Sequence, residues 1–250
     1  MQITIFKDIK ETSQPFYRHV DIIIKRIREG ASKTLVKKIR SEKNKEKRNI
    51  LKQKLPAVCF SGTFSKRNDG ALQEHSGIIC LDFDGYPSSK AMLMEKEKLC
   101  KDKFVYSVFI SPSGQGLKAL VKIPKEPDNH KNYFNSLEVY FGSDYFDKTS
   151  KNISRVCYES YDPLIHSNET SSVWDKIYEE QYTEVEKHVD IPTIPITDEN
   201  KIVDILTKWW QKKYPMIEGQ RNHNAYVLAS AFNDFGVTKT LAEYVLNGYS

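Results

Sequence analysis

Apolar positions along this chain follow two rhythms. Short apolar or alternating runs predict strands at Gln2–Phe6, Leu55–Phe64, Ile78–Phe83, Val105–Ile110 and Ala119–Ile123. The second of these runs into a Ser61-Gly62 turn. Helical spacing predicts helices from His19 to Ile27, over Lys90–Lys103, and over His130–Tyr140, where Tyr133, Phe134, Leu137 and Tyr140 would face a core. From Asn168 to Asn200 the chain turns acidic and proline-containing, as in Asp190-Ile191-Pro192-Thr193-Ile194-Pro195, which reads as a linker. Beyond it the helical rhythm returns. Thr197 and Asn200 precede Ile202, Val203, Ile205 and Leu206, Ala225–Phe235 ends at Gly236, and Thr238–Leu246 follows. The expected fold class is α+β. A mixed domain occupies 1–175, a linker 176–196 and a small helical module 197–250. The end at Ser250, directly after a helix, points to a truncated chain or a lost downstream domain.

Composition narrows this picture. With 250 residues, 14 Tyr, 12 Phe and 3 Trp, one large domain and a small partner have material for real cores. No run approaches the ~20 apolar residues of a membrane span, and no signal peptide opens the chain, so a soluble cytoplasmic protein is expected. Cys59, Cys80, Cys100 and Cys157 show no Cys-x-x-Cys spacing and read as reduced core residues. The formal charge of +5 hides an asymmetry, since residues 25–54 hold thirteen Lys or Arg against three Glu. Such a run suits a solvated helix face. It equally suits a surface that holds nucleic-acid phosphates, with Lys37, Lys38, Arg40 and Arg48 as the contacts.

The chemistry concentrates at Ile78–Gly85. Four apolar residues run into Asp82-Phe83-Asp84 and stop at Gly85. Alternation along a strand puts Asp82 and Asp84 on one face and Phe83 on the other. Paired carboxylates repel, and a divalent cation with oxygen ligands is the natural compensation, although the same triplet also suits a solvated strand end. Between the strands ending at Ile110 and starting at Ala119 lies Ser111-Pro112-Ser113-Gly114-Gln115-Gly116-Leu117-Lys118. Its backbone N–H groups could cradle phosphate, with Lys118 adding a charge; it could also be an ordinary turn. The spacing is not that of a Walker A loop. Asp147 is a candidate third carboxylate and Arg155 a second cation. Asp162, before Pro163, reads first as turn chemistry, and His130 as a packing residue. Trp209 and Trp210 suit core packing of a helical bundle, or base stacking.

In order, Leu55–Phe64, Asp82-Phe83-Asp84, Ser111–Lys118 and Ser154-Arg155-Val156-Cys157-Tyr158-Glu159-Ser160-Tyr161-Asp162-Pro163 resemble the VirE N-terminal domain family. That family is a branch of the archaeo-eukaryotic primase (prim-pol) superfamily, and the resemblance covers roughly residues 1–170. It implies an RRM-like catalytic core that performs template-directed nucleotidyl transfer. Asp82, Asp84 and Asp147 would hold two Mg²⁺ or Mn²⁺ ions. Ser111, Ser113, Gly114, Gly116, Lys118 and Arg155 would bind the phosphates of an NTP or dNTP. Single-stranded DNA is the implied template, a downstream or separate helicase an allowed partner, and replication of a mobile element the implied setting. Lys118 departs from the superfamily, where a histidine is usual. Residues 197–250 resemble the helical module found after prim-pol cores, with Gly219-Gln220-Arg221-Asn222 as its turn. The alternative on the same fold is a catalytically idle binder of single strands, and a metal-dependent nuclease or hydrolase is a third possibility.

Overall fold

The computed structural model describes residues 1–178, 198–214 and 221–249, the last stretch without the side chains of 221–223. The expected linker from 179 onward and the turn at 218–220 lie outside these residues. The chain divides into two compact units, Met1–Glu180 and Gln181–Ser250.

The first unit is mixed α/β with antiparallel sheets. One sheet has the order β2-β1-β3-β9, built from β1 (Gln2–Phe6), β2 (Phe16–His19), β3 (Ala57–Cys59) and β9 (Cys157–Tyr158). The other has the order β10-β7-β8-β6, with β6 (Ile78–Phe83), β7 (Val105–Ile110), β8 (Leu117–Lys122) and β10 (His166–Ser167). The Ser61-Gly62 turn passes the chain from β3 into a separate hairpin of β4 (Gly62–Phe64) and β5 (Leu72–His75). Gly62 is required there, because a side chain would run into the backbone carbonyl of Glu74.

The sheet containing β6 is buried on both faces, which explains its near-continuous apolar strands. Ile79, Leu81 and Phe83 of β6 pack with Leu117, Ala119 and Val121 of β8 under α4 (Ser89–Lys101) and α5 (His130–Phe141). Both helices fall where the 3.6-residue rhythm put them, but Leu93 and Met94 of α4 face solvent while Met92 and Leu99 make the contact. On the opposite face, Ile78, Phe109 and Leu120 meet Val20, Ile23, Ile24 and Ile27 of α1 (Val20–Glu29), with Ile3 and Val58 of the first sheet. Gly30 ends α1 in the left-handed region at φ 86°. The basic run then forms α2 (Lys33–Ser41) and α3 (Lys45–Lys52), the latter capped by Asn44. Val36 and Ile39 of α2 and Leu51 of α3 dock near Leu55.

In the second unit, α6 (Glu199–Lys213), α7 (Arg221–Asp234) and α8 (Lys239–Asn247) enclose Leu206, Trp210, Leu228, Phe232 and Val237. Asp198 caps α6 by accepting the Asn200 N–H. The tryptophan pair splits. Trp210 is core and donates its indole N–H to the Asn224 carbonyl at 2.7 Å. Trp209 is 41% exposed, with the Lys213 ammonium 5.8 Å from its ring. Among the described residues no helix is long and apolar enough to cross a membrane.

Candidate active site

Strand parity builds this site. Asp82 faces Lys118 across the β6–β8 ladder, so both side chains stand on the α1 side of the sheet, at its rim. They form a nearly buried ion pair between Asp82 Oδ2 and the Lys118 ammonium, with side chains 11% and 15% exposed. The other oxygen, Asp82 Oδ1, is buried and has no hydrogen-bond partner. Such an atom is costly unless something outside the chain meets it. Burial works against the Lys118 charge, but Cys157 and Asp82 outweigh it and hold its pKa above the ordinary lysine value. Asp84 lies just past the end of β6, before Gly85 turns away at φ 83°. Partial desolvation and then the Asp82 charge raise the Asp84 pKa above the usual carboxylate range.

Gly116 shows how tightly the two strands close on this pair. A side chain there would collide with the Asp84 carboxylate and come within 2.8 Å of the Phe83 carbonyl. The Ser-Gly loop is held by its own backbone: Ser111 N–H donates to the Gly116 carbonyl (2.8 Å), and Gly114 N–H to the Ser111 carbonyl (2.9 Å). The Ser111 and Ser113 hydroxyls meet at 3.1 Å. Arg40, read as a strand contact, has its guanidinium engaged. It donates to the carbonyls of Ser111 (3.2 Å) and Tyr161 (2.8 Å) and lies against Gly114, so it braces the loop.

Two hollows meet at this rim. The smaller, about 190 Å³, is lined by Asp82, Asp84, Ser111, Ser113, Lys118, Arg155 and others. The larger, about 650 Å³, runs between α3, the Asp84–Ser89 segment and the tip of the Ser-Gly loop at Ser113–Gln115. Lys45, Arg48 and Lys52 line it along one stripe of α3. Lys52 lines both hollows. Burial, then Arg48, lowers its pKa, with Asp84 and Asp82 among its charged neighbours. Nothing in the sequence separated Lys52 from its basic neighbours; only the docking of α3 does. Neither Lys37 nor Lys38 lines these two hollows, and both are exposed on α2.

Asp147 arrives on the same face by an unexpected route. A bridge between Phe83 and Phe146 places it opposite Asp82, to whose carbonyl its N–H donates at 2.8 Å. Its carboxylate accepts from Thr149 N–H and hydroxyl (2.9 and 2.6 Å) and from the Ser150 hydroxyl (2.7 Å), with Arg155 at 3.8 Å. Burial opposes its ionisation, but these donors outweigh it and its pKa lies below the usual range. Asp162 is not merely a turn residue. It is 3% exposed, accepts from Lys96 at 2.6 Å and from the Ile110 and Leu164 N–H groups, and anchors the end of β7. His130 is buried against His75, as a packing residue would be.

Among the described residues no group of three or more His, Cys, Asp or Glu is gathered to hold a metal ion. Two carboxylates, one with a buried unpartnered oxygen, nevertheless fit a hard divalent cation that draws its remaining ligands from water and phosphate.

Residues 50–166 match a family model described as "BT4734-like, N-terminal domain". The match spans all four motifs and includes Lys52, Asp82, Asp84, Ser111–Lys118, Asp147 and Arg155, but it bears a different name from the VirE N-terminal domain family. Among solved structures, the AEP domain of the cyanophage S-2L primase-polymerase (PrimPol) is similar at 11% identity and a TM-score of 0.37, over 70% of this chain and 83% of that one. No curated protein matches the chain.

Proposed function

We propose that residues 1–175 form an RRM-like prim-pol core that joins nucleotides on a single-stranded DNA template, with the helical module 197–250 as an accessory. The observation that carries this reading is the rim of β6. Asp82 and Asp84 stand together beside Lys118, one buried carboxylate oxygen is left without a partner, and a glycine yields its side-chain space to Asp84. Asp82 and Asp84, with Asp147 opposite, would hold Mg²⁺ or Mn²⁺, which supplies charge neutralisation at the polyphosphate and activation of the attacking hydroxyl.

The chain's own groups position the reactants. Lys118 fixes Asp82 through Oδ2 and leaves Oδ1 free of any partner, in a residue that lines the smaller hollow. In the loop that Gly114 and Gly116 help to turn, the Ser111 and Ser113 hydroxyls would donate to phosphate oxygens, and Arg155 and Lys52 would add cations. Lys37, Lys38 and Arg48 would meet the phosphates of the strand, with Arg40 holding the loop from behind. Fixing reactants and neutralising charge in this way is the main source of rate in phosphoryl transfer.

Primer extension and de novo synthesis assays test this. Asp82→Ala and Asp84→Ala should each reduce incorporation to background while circular dichroism stays native. Near-normal synthesis by either variant, with Mg²⁺ or Mn²⁺, would sink the reading. A second reading has one observation in its favour: Lys118 already neutralises Asp82 within the chain. On that reading the fold binds single strands without chemistry, and both alanine variants would retain oligonucleotide affinity while the parent chain shows no incorporation.

A further inference from the structure

Behind the carboxylates lie two thiols that the proposed reaction does not use. Cys80 precedes Asp82 by one turn of strand parity and faces the α1 side of β6. Cys157 opens β9, paired with Val58 in the other sheet, and belongs to the same apolar layer. Both line one gap of about 10 Å³, together with Asp82, Lys118 and Arg155. The Cys157 thiol meets the Tyr158 carbonyl at 3.5 Å, and the small gap separates it from Cys80. Cys157 also lines the open 190 Å³ hollow, so a small oxidant has a path to the pair. The remaining cysteines are placed differently. Cys59 is buried with its thiol toward the Ser154 carbonyl at 3.6 Å, and Cys100 sits part-exposed on α4.

We propose that Cys80 and Cys157 form an oxidation site at which a peroxide links the two sheets through a disulfide beneath Asp82 and narrows the smaller hollow. The step balances. Two S–H bonds are lost and one S–S bond forms, while the peroxide O–O bond breaks and takes up two electrons and two protons to leave two waters. A disulfide needs Cα atoms about 4.4–6.8 Å apart, so the bond would clamp β9 against β6 across the gap that both cysteines line. Closing that gap would act on Cys157 and its neighbour Arg155, both walls of the hollow. The location of the bond stands on geometry alone; its consequence for nucleotide rests on the function proposed above.

The test uses the whole chain, reduced and then exposed to hydrogen peroxide. Peptide mapping without reductant should recover Cys80 joined to Cys157, with Cys59 and Cys100 free, and dithiothreitol should reverse it. Cys80→Ser should abolish the cross-link. Recovery of Cys157 as a sulfinic acid, of links through Cys100 between molecules, or of four free thiols would overturn the proposal. The oxidised chain should bind dATP with Mn²⁺ about tenfold more weakly, the scale of one lost charge-assisted contact, and regain it on reduction. A linked chain with unchanged affinity would overturn the narrowing of the hollow. If the reduced chain binds no dATP, the nucleotidyl-transfer reading fails, and the peptide map alone decides the oxidation site.

Discussion

Among the described residues of the first unit, two lysine–aspartate pairs are largely buried, and their difference is instructive. Lys96 and Asp162 are 9% and 3% exposed, close to the 15% and 11% of Lys118 and Asp82. In the first pair every carboxylate oxygen is used. Asp162 Oδ2 accepts from Lys96 and from the Ile110 N–H, Oδ1 accepts from the Leu164 N–H, and Lys96 also donates to the Leu164 carbonyl. In the second pair Asp82 Oδ1 accepts nothing, a second carboxylate lies close by, and both partners line the smaller hollow. Identical chemistry therefore serves two ends. A saturated pair fixes the fold, whereas the unsaturated one is what the proposed function turns to metal binding.

The largest effect that could break this contrast is on stability. Asp162→Ala strands the Lys96 ammonium in the core, and removing one partner of a buried pair costs about 3–5 kcal/mol. Asp84→Ala should be near neutral or stabilising, since it relieves a repulsion and opens no apolar cavity. Urea unfolding of the two variants against the parent measures both. Equal losses would mean that the carboxylates at the rim are structural, like Asp162.

A second saturated cluster sharpens the comparison through pH. His75 Nδ1 accepts the Gly77 N–H at 3.1 Å, so its Nε2–H donates to His130 Nδ1 at 3.0 Å, and both rings are buried. Burial lowers the His75 pKa from 6.5 to about 4, and burial plus His75 lowers that of His130 to about 3. The unfolded chain takes up protons near 6.5 while the folded chain refuses them. The pair's contribution is thus complete above pH 6.5 and is lost as pH falls toward 4 and then 3. At about 1.4 kcal/mol per ring for each pH step below 6.5, the loss should already reach roughly 4 kcal/mol at pH 5. His75→Gln should flatten the urea midpoint between pH 7.5 and 5. An equally steep fall in the variant would assign the acid sensitivity elsewhere.

What the sequence revealed was local. The β6 and β7 strands and the α4 and α5 helices announce themselves by rhythm, and the parity that pairs Asp82 with Asp84 needs only the strand. Partners distant along the chain were hidden. Asp162 carries an Asp-Pro turn signal, yet its meaning comes from Lys96, on a helix packed against the same sheet. Arg40 and Lys52 sit among thirteen cations that composition cannot rank, and docking alone turns one toward loop carbonyls and the other toward the carboxylates. The Phe83–Phe146 bridge sets Asp147 opposite Asp82, but Thr149 and Ser150, its own near neighbours, hold its carboxylate.

The smallest expected effect concerns charges with no hollow at all. Lys37 and Lys38 are exposed on α2, where an ion interacts mostly with its counterions and individual contacts contribute little to stability. Their effect on folding should be nil, and at fixed salt their neutralisation should weaken strand binding only modestly. The dependence on salt is more telling. A lysine that displaces a counterion from a single strand contributes roughly 0.7 to the slope of log affinity against log salt. Lys37→Gln with Lys38→Gln should therefore flatten that slope by about 1.4 for an oligonucleotide of any sequence, with nucleotide affinity unchanged. An unaltered slope would leave α2 a solvated face. The strand would then have to run along the Lys45, Arg48 and Lys52 stripe of α3, and Arg48→Gln should flatten the slope instead.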